Sequence, residues 1–258
     1  MTFERIDLKF YNAFIEYLIK EKKLASNSVG KDIQVLKLIM NEALDLHLTS
    51  NTSFKTKRFV VLREASDSIY LDKIELEELK NHDLSDKPKL ERVRDLFLVG
   101  CYIGLRYSDY SILTTENIKN GYIQINQTKT GSPVTIPVHR AIKGLLEKYH
   151  GVFPAPLTNQ KTNEYLKEVG KEIDCLGKSV VKNITKEGAN KQTSLAKWEM
   201  LTTHTARRSF ATNEFLAGTP TLTIMAITGH KTEKAFLKYI KLNSSDHDKL
   251  LKERWDNQ

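Results

Sequence analysis

Apolar positions recur at helical spacing twice within the first 50 residues. In "LKFYNAFIEYLIKEKK" the period sets Phe10, Phe14, Tyr17 and Leu18 on one face of a helix. The run "VGKDIQVLKLIMNEALDLHL" repeats the pattern behind the capping-type "SNS". Together they predict a small helical module. Residues 49–68 then turn polar, next basic with Lys55, Lys57 and Arg58, then β-like at "FVVL". This stretch reads as an interdomain linker whose boundary falls between 62 and 68, giving an N-terminal domain over 1–65 and a larger one over 66–258.

The second part restarts with "LDKIELEELKNHDL", where Asp72 can cap a helix, and continues through "KLERVRDLFLVGCYIGL", apolar enough to be a buried helix. Strand-like alternation in "GYIQINQTKTGSPVTIPV" predicts a β-hairpin with "TKTGS" at its turn. Helices are expected at about 139–149 and 159–175. Residues 177–197 hold five lysines and one glutamate among Gly, Asn, Ser and Thr, and predict a mobile basic loop or loose hairpin. From residue 204 the pattern is helical again, broken at "AGTP" and "TGH". The fold class is therefore mainly α with a small β-hairpin or sheet.

Composition narrows the function classes. A chain of 258 residues with 40% hydrophobic residues can bury a proper core. It contains no apolar run of about 18 residues, the minimum for a membrane span, and no secretory leader pattern at its N-terminus. The expected location is the cytoplasm, at the nucleoid. Cys101 and Cys175 stand alone in apolar helical patterns, without zinc or redox spacing. Forty Lys and Arg against 32 Asp and Glu give a net charge of +8 and an isoelectric point near 9.2. Such a balance favours a polyanionic partner without identifying one.

Several chemically capable residues follow in order along the second part. Arg106 lies in "IGLRYSDYSIL", Lys129 at the hairpin turn, His204 and Arg207 in "LTTHTARRSFAT", His230 in "ITGHKT", and Tyr239 in "KAFLKYIKL". Taken singly, each has an ordinary structural explanation: a helix-end ion pair, a solvated turn lysine, a cap, a half-buried aromatic. Their order and spacing change the picture.

"GLRYSD", "QTKTG", "HTAR", "TGH" and a tyrosine nine residues after His230 closely resemble the motif series of the tyrosine recombinase, or phage integrase, family. The resemblance covers residues 68–245 with motifs, and more loosely the N-terminal module, which is similar to the family's helical, SAM-like core-binding domain. It implies that Arg106 and Arg207 clamp a scissile phosphate, that Tyr239 attacks it to leave a 3′-phosphotyrosyl link, and that Lys129 protonates the leaving 5′-oxygen. His204 is implied as general base and His230 as a phosphate donor or support, without metal, ATP or other cofactor. Asp109 reads as a partner orienting this region, and Arg208 is expected to point elsewhere on its helix. The sequence departs from the family pattern at Ala206, Arg208, Phe236 and Lys241, outside the six catalytic positions.

The resemblance further implies double-stranded DNA as partner, gripped by a clamp of two domains. Lys55, Lys57, Arg58, Lys182 and Lys186 would contact the backbone, which gives affinity without sequence information. A homotetramer on DNA is implied, with exchange of the tail bearing Leu250, Leu251 and Trp255, as are DNA-bending accessory proteins. Packing of that tail within its own chain is an equal alternative. Family members from mobile elements often carry a further arm-binding domain; this sequence begins almost at the core-binding helices, which fits a truncated chain or a simpler recombinase. A catalytically silent DNA-binding relative and a type IB topoisomerase remain the competing functions.

Overall fold

The computed structural model describes residues 2–64, 67–186, 189–240, 242, 252 and 255; side chains of 183–191 fall outside that description. Internal contacts divide the chain into two units, Met1–Asp67 with Val181–Ser194, and Ser68–Val180 with Leu195–Gln258.

The first unit is built on α1 (Leu8–Lys20) and α2 (Ser26–Asp45). Asp7 caps α1 by accepting from the Phe10 amide at 2.8 Å. The buried positions on α1 are Tyr11 and Leu18, whereas Tyr17 is exposed. The apolar stripe thus runs Tyr11, Phe14, Ile15, Leu18, at steps of three and four, and the face expected to hold Tyr17 is rotated away from it.

Residues 49–62 are not a free linker. Phe54 and Phe59 are buried in the same core as α1 and α2, and no strand forms at 59–62. The segment crosses α2 so closely that a Cβ on Gly30 would sit 1.9 Å from the Leu62 carbonyl oxygen. Its backbone groups are satisfied by side chains instead of a ladder. The Tyr11 hydroxyl donates to the Val60 carbonyl at 2.8 Å and accepts from its amide at 3.1 Å, and Lys37 donates to the Phe59 carbonyl.

The second unit opens with α3 (Lys73–Asn81). Asp72 caps it in a reciprocal box, accepting from the Glu75 amide while the Glu75 carboxylate accepts from the Asp72 amide, both at 2.9 Å. The apolar helix α4 (Pro88–Ile103) follows, and most of it is buried. One face joins α3 and α7 (Asn159–Lys171) in a core with Leu76, Leu79 and Val169. The other face packs Val99 and Ile103 on the sheet residues Ile123, Val134 and Ile136. Buried Asp95 on α4 accepts from Lys148 at 2.6 Å and from the Tyr149 hydroxyl at 2.9 Å, which pins α6 (Arg140–Lys148).

The sheet is antiparallel, in the order β1 (Ile118–Lys119), β2 (Tyr122–Asn126), β3 (Pro133–Pro137). In β2 and β3 the register pairs Ile123 with Ile136 and Asn126 with Pro133, so residues 127–132 form the hairpin turn. The basic stretch expected as a loop or hairpin forms two paired strands, β4 (Ser179–Lys186) and β5 (Ala189–Ala196). The remaining helices are α5 (Tyr107–Tyr110), α8 (Thr203–Leu216), α9 (Thr221–Thr228) and α10 (Glu233–Leu237).

Two glycines set the approach of α4 to α8. A Cβ on Gly100 would lie 2.6 Å from the Tyr110 ring and 3.1 Å from the Ala206 Cβ. Gly104 ends α4 in the left-handed region, φ 67°, with the Phe210 ring 2.2 Å from where its Cβ would be. The helix carrying His204 and Arg207 is thereby brought against the end of the helix that leads into Arg106. Among the described residues no helix is long and apolar enough to cross a membrane. Leu250 and Leu251 lie outside the described residues; Trp255 is exposed.

Candidate active site

Residues from α8 and from the segment after α9 converge around the ring of Tyr239. Its centroid lies 5.3 Å from that of His204, edge to face, and 4.8 Å from that of His230. The guanidinium carbon of Arg208 sits 4.6 Å from the same centroid. Tyr239 is buried, and among the described residues its hydroxyl has no hydrogen-bond partner. Arg207 acts electrostatically on that hydroxyl without completing a hydrogen bond.

The helical period explains the α8 contribution. His204, Arg207 and Arg208 stand at i, i+3 and i+4, so they share one side of the helix. Arg208 does not point elsewhere, as the sequence reading expected; it covers the Tyr239 ring and donates to the Ser68 hydroxyl at 2.6 Å. Arg207 is almost fully buried and donates to the Gly104 carbonyl at 2.9 Å. That carbonyl belongs to the buried C-terminal end of α4, where no helical amide follows to satisfy it.

Arg106 caps α5 by position and donates from Nη1 to the Gln127 Oε1 at 3.0 Å. Asp109, three residues on, is fully buried; its Oδ1 accepts from the Thr128 amide at 2.9 Å, and its Oδ2 has no partner among the described residues. It therefore holds the start of the hairpin turn that carries Lys129. The Lys129 side chain is exposed and makes no hydrogen bond or ion pair among the described residues. His230 follows Gly229, which closes α9 at φ 61°, and its Nδ1 shares a 2.8 Å hydrogen bond with the Thr228 hydroxyl.

The field at this cluster is strongly positive. No ion pair joins Arg106, Arg207 or Arg208 to a carboxylate among the described residues. Burial and the neighbouring Arg208, Arg207 and Arg106 depress His204 to about 4, although part of that residue faces solvent. His230 is lowered to about 4 by burial, then by Arg207 and Arg106. Both imidazoles are thus neutral at pH 7. Burial raises Tyr239 to about 12, with Arg207 and Arg208 pulling the other way. Arg207 is lowered by burial to about 10 and stays charged. Several cations and donors around one unpartnered hydroxyl form a receptor for an anion.

Arg106, His204, Arg207, His230 and Tyr239 are brought into one electrostatic cluster, whereas the exposed Lys129 stands on the hairpin turn whose Gln127 is bonded to Arg106. Lys55, Lys57 and Arg58 are exposed, in and beside the short 3-10 turn Ser53–Lys55; Lys182 is partly buried on β4, and the side chain of Lys186 lies outside the described residues. Sequence reasoning missed Arg208, visible in its i+4 relation to His204, and Gln127, a polar residue two places before Lys129 whose burial no local pattern reveals. Among the described residues no group of three or more His, Cys, Asp or Glu is arranged to hold a metal ion.

The phage integrase family model matches residues 70–246, and the phage integrase SAM-like domain model matches residues 1–78. The fold is also that of solved integrases. A lambda integrase dimer bound to a COC′ core site is 17% identical with TM-score 0.68, covering 92% of this chain and 81% of that one. The Tn1549 transposon integrase in complex with circular intermediate DNA is 17% identical with TM-score 0.67, covering 96% and 85%. A lambda integrase tetramer bound to a Holliday junction is 20% identical with TM-score 0.65, covering 92% of this chain and 65% of that one. No curated protein sequence matches. The family models and the fold place the chain among the tyrosine recombinases, the class of DNA-cleaving and rejoining enzymes. The chain belongs to the phage integrase family.

Proposed function

We propose that the protein is a site-specific DNA recombinase that breaks and rejoins strands through a 3′-phosphotyrosyl intermediate on Tyr239. The observation that carries this reading is the buried Tyr239 hydroxyl beside Arg207, which among the described residues has no hydrogen-bond partner, with no carboxylate there paired to any arginine of the cluster.

A phosphodiester supplies the missing anion. Arg106 and Arg207 would grip its non-bridging oxygens, where charge builds as phosphorus is attacked; one such donor is worth about 3 kcal/mol in the transition state. Neutral His204 takes the phenol proton as the Tyr239 oxygen bonds to phosphorus. The bond from phosphorus to the 5′-oxygen breaks, and Lys129 protonates that oxygen. His230 donates to the same phosphate or steadies it. Religation runs these steps backwards on a different 5′-hydroxyl. Because the phosphotyrosyl ester conserves the energy of the broken bond, no ATP is consumed.

The two matched family models and the DNA-bound integrases of the same fold support duplex DNA as partner, a tetramer as the working assembly, and integration or excision of a mobile genetic element as the role. We place backbone contacts at Lys55, Lys57, Arg58, Lys182 and Lys186, with residues 1–65 as the core-binding domain. The test is incubation with nicked duplexes of candidate attachment sites in EDTA, read on a denaturing gel. The proposal expects a protein–DNA adduct with the native chain and none with Tyr239→Phe. Duplexes that are bound yet never linked would mark a silent binder.

A further inference from the structure

Gln127 is fully buried and spends every polar atom of its side chain. Its Oε1 accepts from Arg106 Nη1 at 3.0 Å and from the Thr130 hydroxyl at 3.2 Å, while its Nε2 donates to the Ile227 carbonyl at 2.8 Å. The orientation of the amide is fixed by its partners. A guanidinium only donates and a carbonyl only accepts, so the oxygen must face Arg106 and the nitrogen Ile227. Its backbone closes the hairpin turn, donating to the Ser132 carbonyl at 2.9 Å and accepting from the Gly131 amide at 2.8 Å. Gly229, beside His230, approaches until a Cβ there would lie 2.3 Å from Gln127 Oε1.

One side chain therefore joins the phosphate-gripping arginine, the turn that carries Lys129, and the end of α9 that leads into His230. Among the described residues Lys129 makes no hydrogen bond or ion pair to aim it, so the turn backbone sets where its amine can reach. We propose that Gln127 is the positioning residue for the general acid: it locks the 127–132 turn so that Lys129 meets the leaving 5′-oxygen of a phosphate held by Arg106. The inference rests on the recombinase reading above.

Neither an apolar nor an acidic residue suits the position. Leucine would strand an Arg106 N–H and the Ile227 carbonyl in a buried site, and glutamate would set a carboxylate against that carbonyl. Misplacing a reacting group by about 1 Å can cost roughly a hundredfold in rate.

The test compares cleavage of two nicked duplexes in single turnover, one with the ordinary scissile phosphodiester and one with sulfur in place of the bridging 5′-oxygen. A thiol ionises near pH 8.5, so the sulfur leaves without an acid. Gln127→Leu should cleave the phosphodiester roughly a hundredfold more slowly and recover most of that loss on the sulfur substrate, as Lys129→Ala should. A purely structural role, or one acting only through Arg106, lowers both substrates equally, and that result would overturn the inference. If Gln127→Leu fails to fold, Gln127→Asn, which keeps the amide on a shorter stem, carries the same comparison. Should Lys129→Ala show no recovery although Tyr239 still forms its adduct, Lys129 is not the acid and the inference falls. Absence of any adduct sinks the recombinase reading itself.

Discussion

The guanidinium of Arg208 lies over the ring of Tyr239, 4.6 Å from its centroid, while its Nη1 is hydrogen-bonded to Ser68 at 2.6 Å. The planar group is fixed at one end by a hydroxyl and at the other by the face of an aromatic ring. A cation stacked there holds the ring of the proposed nucleophile and would favour its developing phenolate, since Arg208 already acts to lower the Tyr239 pKa. Arg208→Gln should slow adduct formation roughly tenfold, equivalent to about 1.4 kcal/mol. Single-turnover trapping measures this, and DNA affinity should change far less than the rate.

The two site histidines make stability depend on pH in a defined window. Each is held near 4 in the folded chain against an ordinary 6.5, so between these values the unfolded chain binds more protons. Stability contributed by the neutral imidazoles is complete above about pH 6.5 and is lost as pH falls towards 4. The melting temperature should drop across that window, and His204→Gln with His230→Gln should flatten the drop. An equal slope in the double variant would contradict the assignment.

An arginine cluster that has no carboxylate partner among the described residues should be stabilised by a small anion through mass action. Sulfate should raise the melting temperature more than chloride at matched ionic strength. Arg207→Lys should lose most of that difference, because an ammonium cannot donate two parallel hydrogen bonds.

Gly104 tests the α4–α8 contact that aligns Arg106 with Arg207. Alanine there would be strained at φ 67° and would meet the Phe210 ring at 2.2 Å, for a combined cost of about 2–4 kcal/mol. Thermal unfolding should show a loss of several degrees, whereas Gly144→Ala, with open space around its Cβ, should be neutral or slightly stabilising.

Much of this arrangement is legible in the sequence, for local reasons. Asp72 with Glu75 announces a capped helix, alternation around Gly131 announces the hairpin, and the ordered motifs from Arg106 to Tyr239 announce the family. What escapes local reading depends on distant partners. Phe54 and Phe59 follow no helical or strand period, so nothing nearby shows that they belong to a core. Tyr17 sits beside the true stripe, and a one-step rotation of the face was enough to include it. Arg208 is a different case: its i+4 relation to His204 was available in the sequence, and the structure shows both against Tyr239. Gln127 could not be found in this way, because its partners lie 21 and 100 residues away.

The central claim is that Tyr239 carries the DNA strand, and mass spectrometry of the trapped adduct tests it most directly. After nuclease and trypsin digestion, the account predicts a nucleotide mass on the peptide spanning Tyr239 to Lys241. The same mass on a peptide from any other part of the chain would contradict it.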